Sequence, residues 1–204
     1  TVNVAHGTTL VLTATADANS APGGWSGSGC AGTGTCTVTV TAAGGVDMAF
    51  NLRTYTVNIT KTGTGTVTSS SGSINCGTTC SAAFVHGTTV TLTATPAAGY
   101  SWGGWGGSGP SVGCNGPPTC SFSIAGGQSI TANFVPITYT LTVNVIQFTG
   151  TGSHVTSSTG GIDCYDAGGT CTATFNAGTA VSLTAIGAGS GFVYGATNML
   201  AVGA

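Results

Sequence analysis

Charge is what this sequence has least of. Two basic residues (Arg53 and Lys61), four acidic ones (Asp17, Asp47, Asp163 and Asp166) and no Glu make up 3 % of its 204 residues. A soluble globular domain carries roughly 25 %. Nucleic-acid binding displaces phosphate counterions with several Lys or Arg, so that partner is excluded. A polybasic mode of lying on a membrane fails for the same reason. No apolar run reaches the roughly 18 residues of a spanning helix, so no membrane insertion is expected. No charged-apolar-small leader opens at Thr1, and the chain reads as mature or trimmed and soluble.

Catalytic groupings are scarce too. Glycoside hydrolysis usually needs two carboxylates flanking the bond; the only close pair, Asp163 and Asp166, straddles Cys164 in a turn. Such a pair could contribute to a weak calcium site, since hard cations take carboxylate oxygens, but a solvated turn is the simpler reading. No nucleophile elbow sets a Ser beside a His and an acid. The expectation is a protein that is not an enzyme, with no cofactor and no resident metal.

Disorder does not explain so odd a composition. Disordered chains pair low hydrophobicity with high net charge, whereas here 41 % of residues are hydrophobic and the net charge is −2. Thr fills the polar positions, at roughly a fifth of the chain against average usage. It is β-branched and favours extended backbone while keeping an uncharged hydroxyl in water.

The eight cysteines fall into four close pairs: Cys30/Cys36, Cys76/Cys80, Cys114/Cys120 and Cys164/Cys171. Eight cysteines allow 105 connectivities, but each short Gly/Thr-rich loop holds its own two sulfurs near. Closing rings this small is worth about 2–2.5 kcal/mol each by loop entropy. Zinc would want CxxC-like pairs or spaced histidines, and no His lies inside any pair. Disulfides are the better reading, and they imply an oxidising compartment and export.

Self-similarity organises the rest. Phe50 to Asn58 recurs as Phe134 to Thr142, an offset of 84. His6-Gly7-Thr8-Thr9-Leu10 returns as His86-Gly87-Thr88-Thr89-Val90, an offset of 80, and Trp25 matches Trp105. Cys30/Cys36 match Cys114/Cys120, and Cys76/Cys80 match Cys164/Cys171. Residues 54–135 form a complete repeat. Within it Tyr55, Val57 and Ile59 alternate with Thr56, Asn58 and Thr60, and Val90, Leu92 and Ala94 with Thr91, Thr93 and Thr95. That period of two marks half-buried strands. Thr62-Gly63-Thr64-Gly65 reads as a hairpin turn, and no amphipathic helix is apparent. The fold class is all-β: small tandem modules, disulfide-stapled, open to a sandwich-like arrangement.

The flanking repeats are partial. Residues 1–52 correspond to the later part of a unit, and 138–204 to its earlier part with a divergent tail. The first is expected to lack its opening hairpin and the last its closing strands. Missing strands leave N–H and C=O groups for another chain to satisfy. Two readings stay open: a window of a longer array, or strand complementation between chains.

The series Tyr55-Thr56-Val57, Gly63-Thr64-Gly65-Thr66-Val67, Ile74-Asn75-Cys76-Gly77-Thr78-Thr79-Cys80, Gly87-Thr88-Thr89-Val90-Thr91-Leu92-Thr93-Ala94-Thr95-Pro96, Gly99-Tyr100-Ser101-Trp102 and Gly104-Trp105 resembles the divergent internalin B-repeat family of bacterial extracellular modules. The resemblance implies small β-rich domains with a β-grasp-like core, strung as stalks on surface-anchored or secreted proteins. It transfers no catalytic residue and fades after about Gly189.

Remaining candidates have a plain reading beside a functional one. His is the usual general base near neutral pH, yet His6 and His86 recur at one place per unit and give way to Ala177 in the third, as turn or packing residues would. His154 has no evident partner. Tyr100, Trp102 and Trp105 could stack on sugars, but Trp25 repeats Trp105, which favours a plug over a small core. Asn58-Ile59-Thr60 fits an N-glycan acceptor, though a strand is a poor place for one. The function expected is a structural subunit of a secreted, cell-surface filament or stalk. Its partners would be identical subunits or adjoining repeats. An adhesin-type module for surface glycans or a protein partner is the alternative.

Overall fold

The computed structural model describes residues 2–71, 73–108, 114, 116–145, 152–165, 168–187 and 197–201. Among them there are strands and no helix. The first segment holds β1 (Thr8–Leu12), β2 (Ser20–Ser26), β3 (Cys36–Val40) and β4 (Asp47–Leu52). The central segment holds β5 (Thr54–Thr62), β6 (Gly65–Ser69), β7 (Ser81–Val85), β8 (Thr89–Pro96), β9 (Tyr100–Ser108), β10 (Thr119–Ser123) and β11 (Gln128–Pro136). The last holds β12 (Thr138–Thr142), β13 (His154–Ser157), β14 (Asp163–Tyr165), β15 (Gly168–Thr170), β16 (Thr172–Asn176), β17 (Ala180–Ile186) and β18 (Thr197–Ala201).

The central strands form a three-stranded sheet, β10-β8-β6, and a four-stranded one, β7-β5-β11-β9. Along β8, Val90, Leu92 and Ala94 are buried while Thr89, Thr93 and Thr95 are exposed. This is the alternation of a strand with one wet face. In each sheet hydroxyls pair across strands where charges would ordinarily sit: Thr91 with Ser121 at 2.7 Å between β8 and β10, and Thr60 with Thr131 at 2.8 Å between β5 and β11. Thr60 meets Thr131, and Thr62 donates to Asn133 Oδ1. The partners advance in the same direction on both strands, so β5 and β11 run parallel.

By compactness the chain divides into two units. One comprises Thr1–Thr60, Val67–Thr93 and Gly106–Thr131, the other Lys61–Thr66, Ala94–Trp105 and Ala132–Ala204. In the first, Val57, Val67, Val90 and Leu92 are fully buried, with Ile74 and Ile124. In the second, Phe134 is buried against Trp102 (ring centres 5.6 Å apart), and a separate cluster joins Ile162, Cys164, Phe175 and Val181.

The matched sequences make matched bonds. Tyr55 opposes Phe84 as Tyr139 opposes Phe175. Ser69 Oγ accepts from the Ile74 N–H at 3.0 Å, as Ser157 Oγ does from Ile162 at 3.0 Å. Gly7 and Gly87 each donate to the carbonyl 33 or 37 residues on, Val40 and Ile124, at 2.7 Å. Uncharged polar side chains that close tight turns thus recur with their turns.

Two expectations are corrected. The turn at Thr62-Gly63-Thr64-Gly65 is a corner and not a hairpin, because β5 and β6 belong to different sheets. The cause is Phe134: a Cβ on Gly63 would overlap its carbonyl and one on Gly65 its ring, so two glycines let the chain turn around that side chain. The last segment also has a closing strand. β18 pairs antiparallel with β17, Leu200 opposite Val181, as Phe122 of β10 lies opposite Val90 of β8. Main-chain pairing needs free N–H and C=O groups rather than a particular side-chain sequence, so an unrelated tail fills the place.

Candidate functional site

The aromatic strand β9 presents Tyr100, Trp102 and Trp105, all half-buried. Trp102 meets Trp105 edge-on with ring centres 4.8 Å apart, and it also meets buried Phe134 edge-on. Edge-to-face contact of this kind adds about 0.5–1.5 kcal/mol to the area the rings bury. Trp25, on β2, donates its indole N–H to the Gly34 carbonyl at 2.5 Å. It is thereby bound to the loop that the Cys30–Cys36 bond closes.

Disulfides join Cys30–Cys36, Cys76–Cys80, Cys114–Cys120 and Cys164–Cys171. Cys76 and Cys164 are buried beside other apolar residues, whereas in the first segment Cys30 and Cys36 are the buried hydrophobic residues among those described.

The histidines are dispersed. His6 is exposed, His86 lies edge-on to Tyr55 at 6.0 Å, and His154 stacks on Tyr165 at 4.7 Å. The Tyr165 hydroxyl donates to Asp163 (3.3 Å), whose negative charge, with some desolvation, raises the phenol's pKa. Asp166 lies outside the described residues. Among the described residues no three His, Cys, Asp or Glu side chains gather to hold a metal. Asn58 is exposed on β5 and accepts a hydrogen bond from Ser81 at 2.8 Å.

The feature with most to offer a partner is main chain. In the central segment β8 lies between β10 and β6, and β11 between β5 and β9. Their sequence counterparts in the first segment, β1 and β4, each have one described neighbour, β3 and β2 respectively. In the last segment β12, the counterpart of β5, has one described neighbour, β16. Side chains report the same gap. Phe134 is 2 % exposed and its counterpart Phe50 is 47 % exposed, with Leu52 at 53 %. Val90 and Leu92 are fully buried, and Leu10 and Leu12 are half-buried. Beside them runs a groove of about 720 Å³ lined by Val2, Leu10, Leu12, Val38, Val40 and Val46. Sequence reasoning pointed to missing strands but did not single out Phe50. Its match to Phe134 was the available signal, and only burial separates the two.

A comparison with known families bears on the central segment. Residues 55–138 match the divergent InlB B-repeat domain. The resemblance carried by Tyr55 through Trp105 is therefore the family's own pattern over that segment. No curated protein and no solved structure matches the chain. The B-repeat match and four disulfides are compatible with an extracellular or cell-surface location.

Proposed function

We propose that this chain is a non-catalytic structural module of an extracellular filament or surface stalk, and that it joins copies of itself by adding strands to open sheet edges. The observation that carries the reading is the pairing deficit of β1, β4 and β12 beside their fully paired counterparts in the B-repeat segment. Natural edges are commonly blunted by Lys or Pro. β1 and β12 carry no charged residue and β4 only Asp47, and none of the three contains Pro. A heterologous joint between two different edges does not close on itself in general, and so it propagates.

Electron microscopy of the purified chain, with sedimentation, tests this. Polymers of uniform width support it. Discrete monomers that bind a glycan array through Tyr100, Trp102 and Trp105 would replace it with the adhesin reading.

A further inference from the structure

Independently of how copies meet, we infer that the segments of one chain are joined without hinges: a single residue at each junction closes two strand ladders at once and so couples the segments it joins. One residue, Arg53, separates β4 from β5, and one, Ile137, separates β11 from β12. The Arg53 N–H donates to the Asn19 carbonyl at 2.9 Å, one rung beyond the pair Leu52 and Ser20 of β4 and β2. Its own carbonyl accepts from the His86 N–H at 2.8 Å, one rung beyond the pair Thr54 and Val85 of β5 and β7. Ile137 repeats both bonds. Its N–H donates to Gly99 at 2.9 Å, and its carbonyl accepts from Ala177 at 2.8 Å, next to the pair Thr138 and Asn176. The N–H of the junction residue thus belongs to the ladder before it and the C=O to the ladder after it, which leaves neither group to a loose tether.

The turns that receive these bonds repeat as well. Ser20 N–H closes on the Asp17 carbonyl as Tyr100 does on Ala97, and Thr88 closes on Val85 as Thr179 does on Asn176. At the second junction the two turns touch, since a Cβ on Gly99 would lie 3.6 Å from the Ala177 carbonyl oxygen, an ordinary contact. Side chains do not carry the arrangement. The first junction has Asp17, Arg53 and His86 where the second has Ala97, Ile137 and Ala177. Arg53 Nε adds a bond to the Ser20 carbonyl at 3.0 Å, which an Ile side chain has no donor to repeat. Compactness agrees. Domain boundaries fall in linkers that few contacts cross, yet Arg53 lies inside one compact unit of the chain and Ile137 inside the other. The partner of each segment is therefore the adjoining segment. The first segment, in which the described buried hydrophobics are Cys30 and Cys36, leans on the B-repeat segment through Arg53.

Hydrogen exchange and limited proteolysis of the full chain and three variants, read below any concentration at which copies assemble, test this. Inserting Gly-Ser-Gly-Ser between Arg53 and Thr54 keeps a rung for each ladder but parts them. It is expected to speed exchange in β2 and β4, and nicking within residues 1–52, roughly tenfold. Val57 and Leu92 should stay as protected as in the native chain. Arg53→Pro removes the N–H rung alone and is expected to act in the same direction by less. Arg53→Ile installs the residue of the second junction and is expected to leave exchange in β2 and β4 within about threefold of native, because the main-chain rungs remain. Should Arg53→Pro fail to fold, the insertion decides by itself. First-segment exchange unmoved by the insertion would overturn the coupling. A loss in Arg53→Ile as large as that in the insertion variant would overturn its main-chain origin. Neither result depends on self-association, so the two proposals stand or fall separately.

Discussion

The first segment repeats the pattern of the later part of the B-repeat segment, yet its matched strands are far less buried among the described residues. Phe134 sits against Trp102 at 2 % exposure, while Phe50, at the matching place, is 47 % exposed. Two things differ: Pro22 stands opposite Phe50 where Trp102 serves Phe134, and fewer described strands lie alongside. β11 has neighbours on both sides and β4 on one. Burial here follows both the neighbouring strand and the aromatic partner it carries. An apolar strand face becomes a core only when the next strand brings the facing side chains, each worth about 1.5–3 kcal/mol once fully out of water. The first segment compensates locally, through the Cys30–Cys36 bond and the Trp25 hydrogen bond to Gly34.

That contrast can be sharpened by substituting its two ends. Phe134→Ala should cost about 3–5 kcal/mol in chemical unfolding, because it empties a packed site. Phe50→Ala in the unassembled chain should cost under about 1 kcal/mol, as an exposed side chain has little to lose. Equal losses would mean that the first segment is already covered. Next in size is the disulfide. Replacing Cys30 and Cys36 together with Ser should cost about 2 kcal/mol by loop entropy. Protease nicking should appear first within residues 1–52. The same change at Cys76 and Cys80 should leave the B-repeat segment folded, since Val57, Val67, Val90 and Leu92 stay buried without it. Nicking that starts in the B-repeat segment in both variants would break the comparison.

The smallest effect is one of pH. The Ser20 side chain and the Asn19 N–H (3.0 Å) hydrogen-bond to the Asp17 carboxylate and hold its pKa below the ordinary value. A depressed folded pKa contributes stability above the unfolded value and loses it as pH falls through the folded one. Asp17→Asn should therefore melt slightly below the native chain at neutral pH and together with it in strong acid. The group is fully exposed, so a shift of many degrees would contradict this account of the turn.

Much of the fold was legible because strands with one wet face advertise themselves. Val90-Thr91-Leu92-Thr93-Ala94 could be nothing but an alternating strand, and the close cysteine spacing made local bridges economical. The corner at Gly63 and Gly65 was not legible, since two strands joined by a short Gly-rich turn look like a hairpin until the ring between them is known. β18 was not legible either. It is recruited through main chain, and main chain carries no sequence signature. The open edges were half legible: the offset showed which strands lacked neighbours, but Phe50 acquires meaning only when its exposure is set beside the burial of Phe134. Tyr100, Trp102 and Trp105 stand out as rare aromatics, and of these Trp102 packs on Phe134 and on Trp105.

Hydrogen exchange of the chain before and after assembly reads the main-chain groups in question one by one. The amides of Phe50 and Leu52 on β4, and of Thr140 and Thr142 on β12, should exchange quickly in monomers and become protected on assembly, with Val57 and Leu92 protected throughout. Protection of those four amides already in the monomer, or none after polymers have formed, would contradict completion of these sheets by a neighbouring copy.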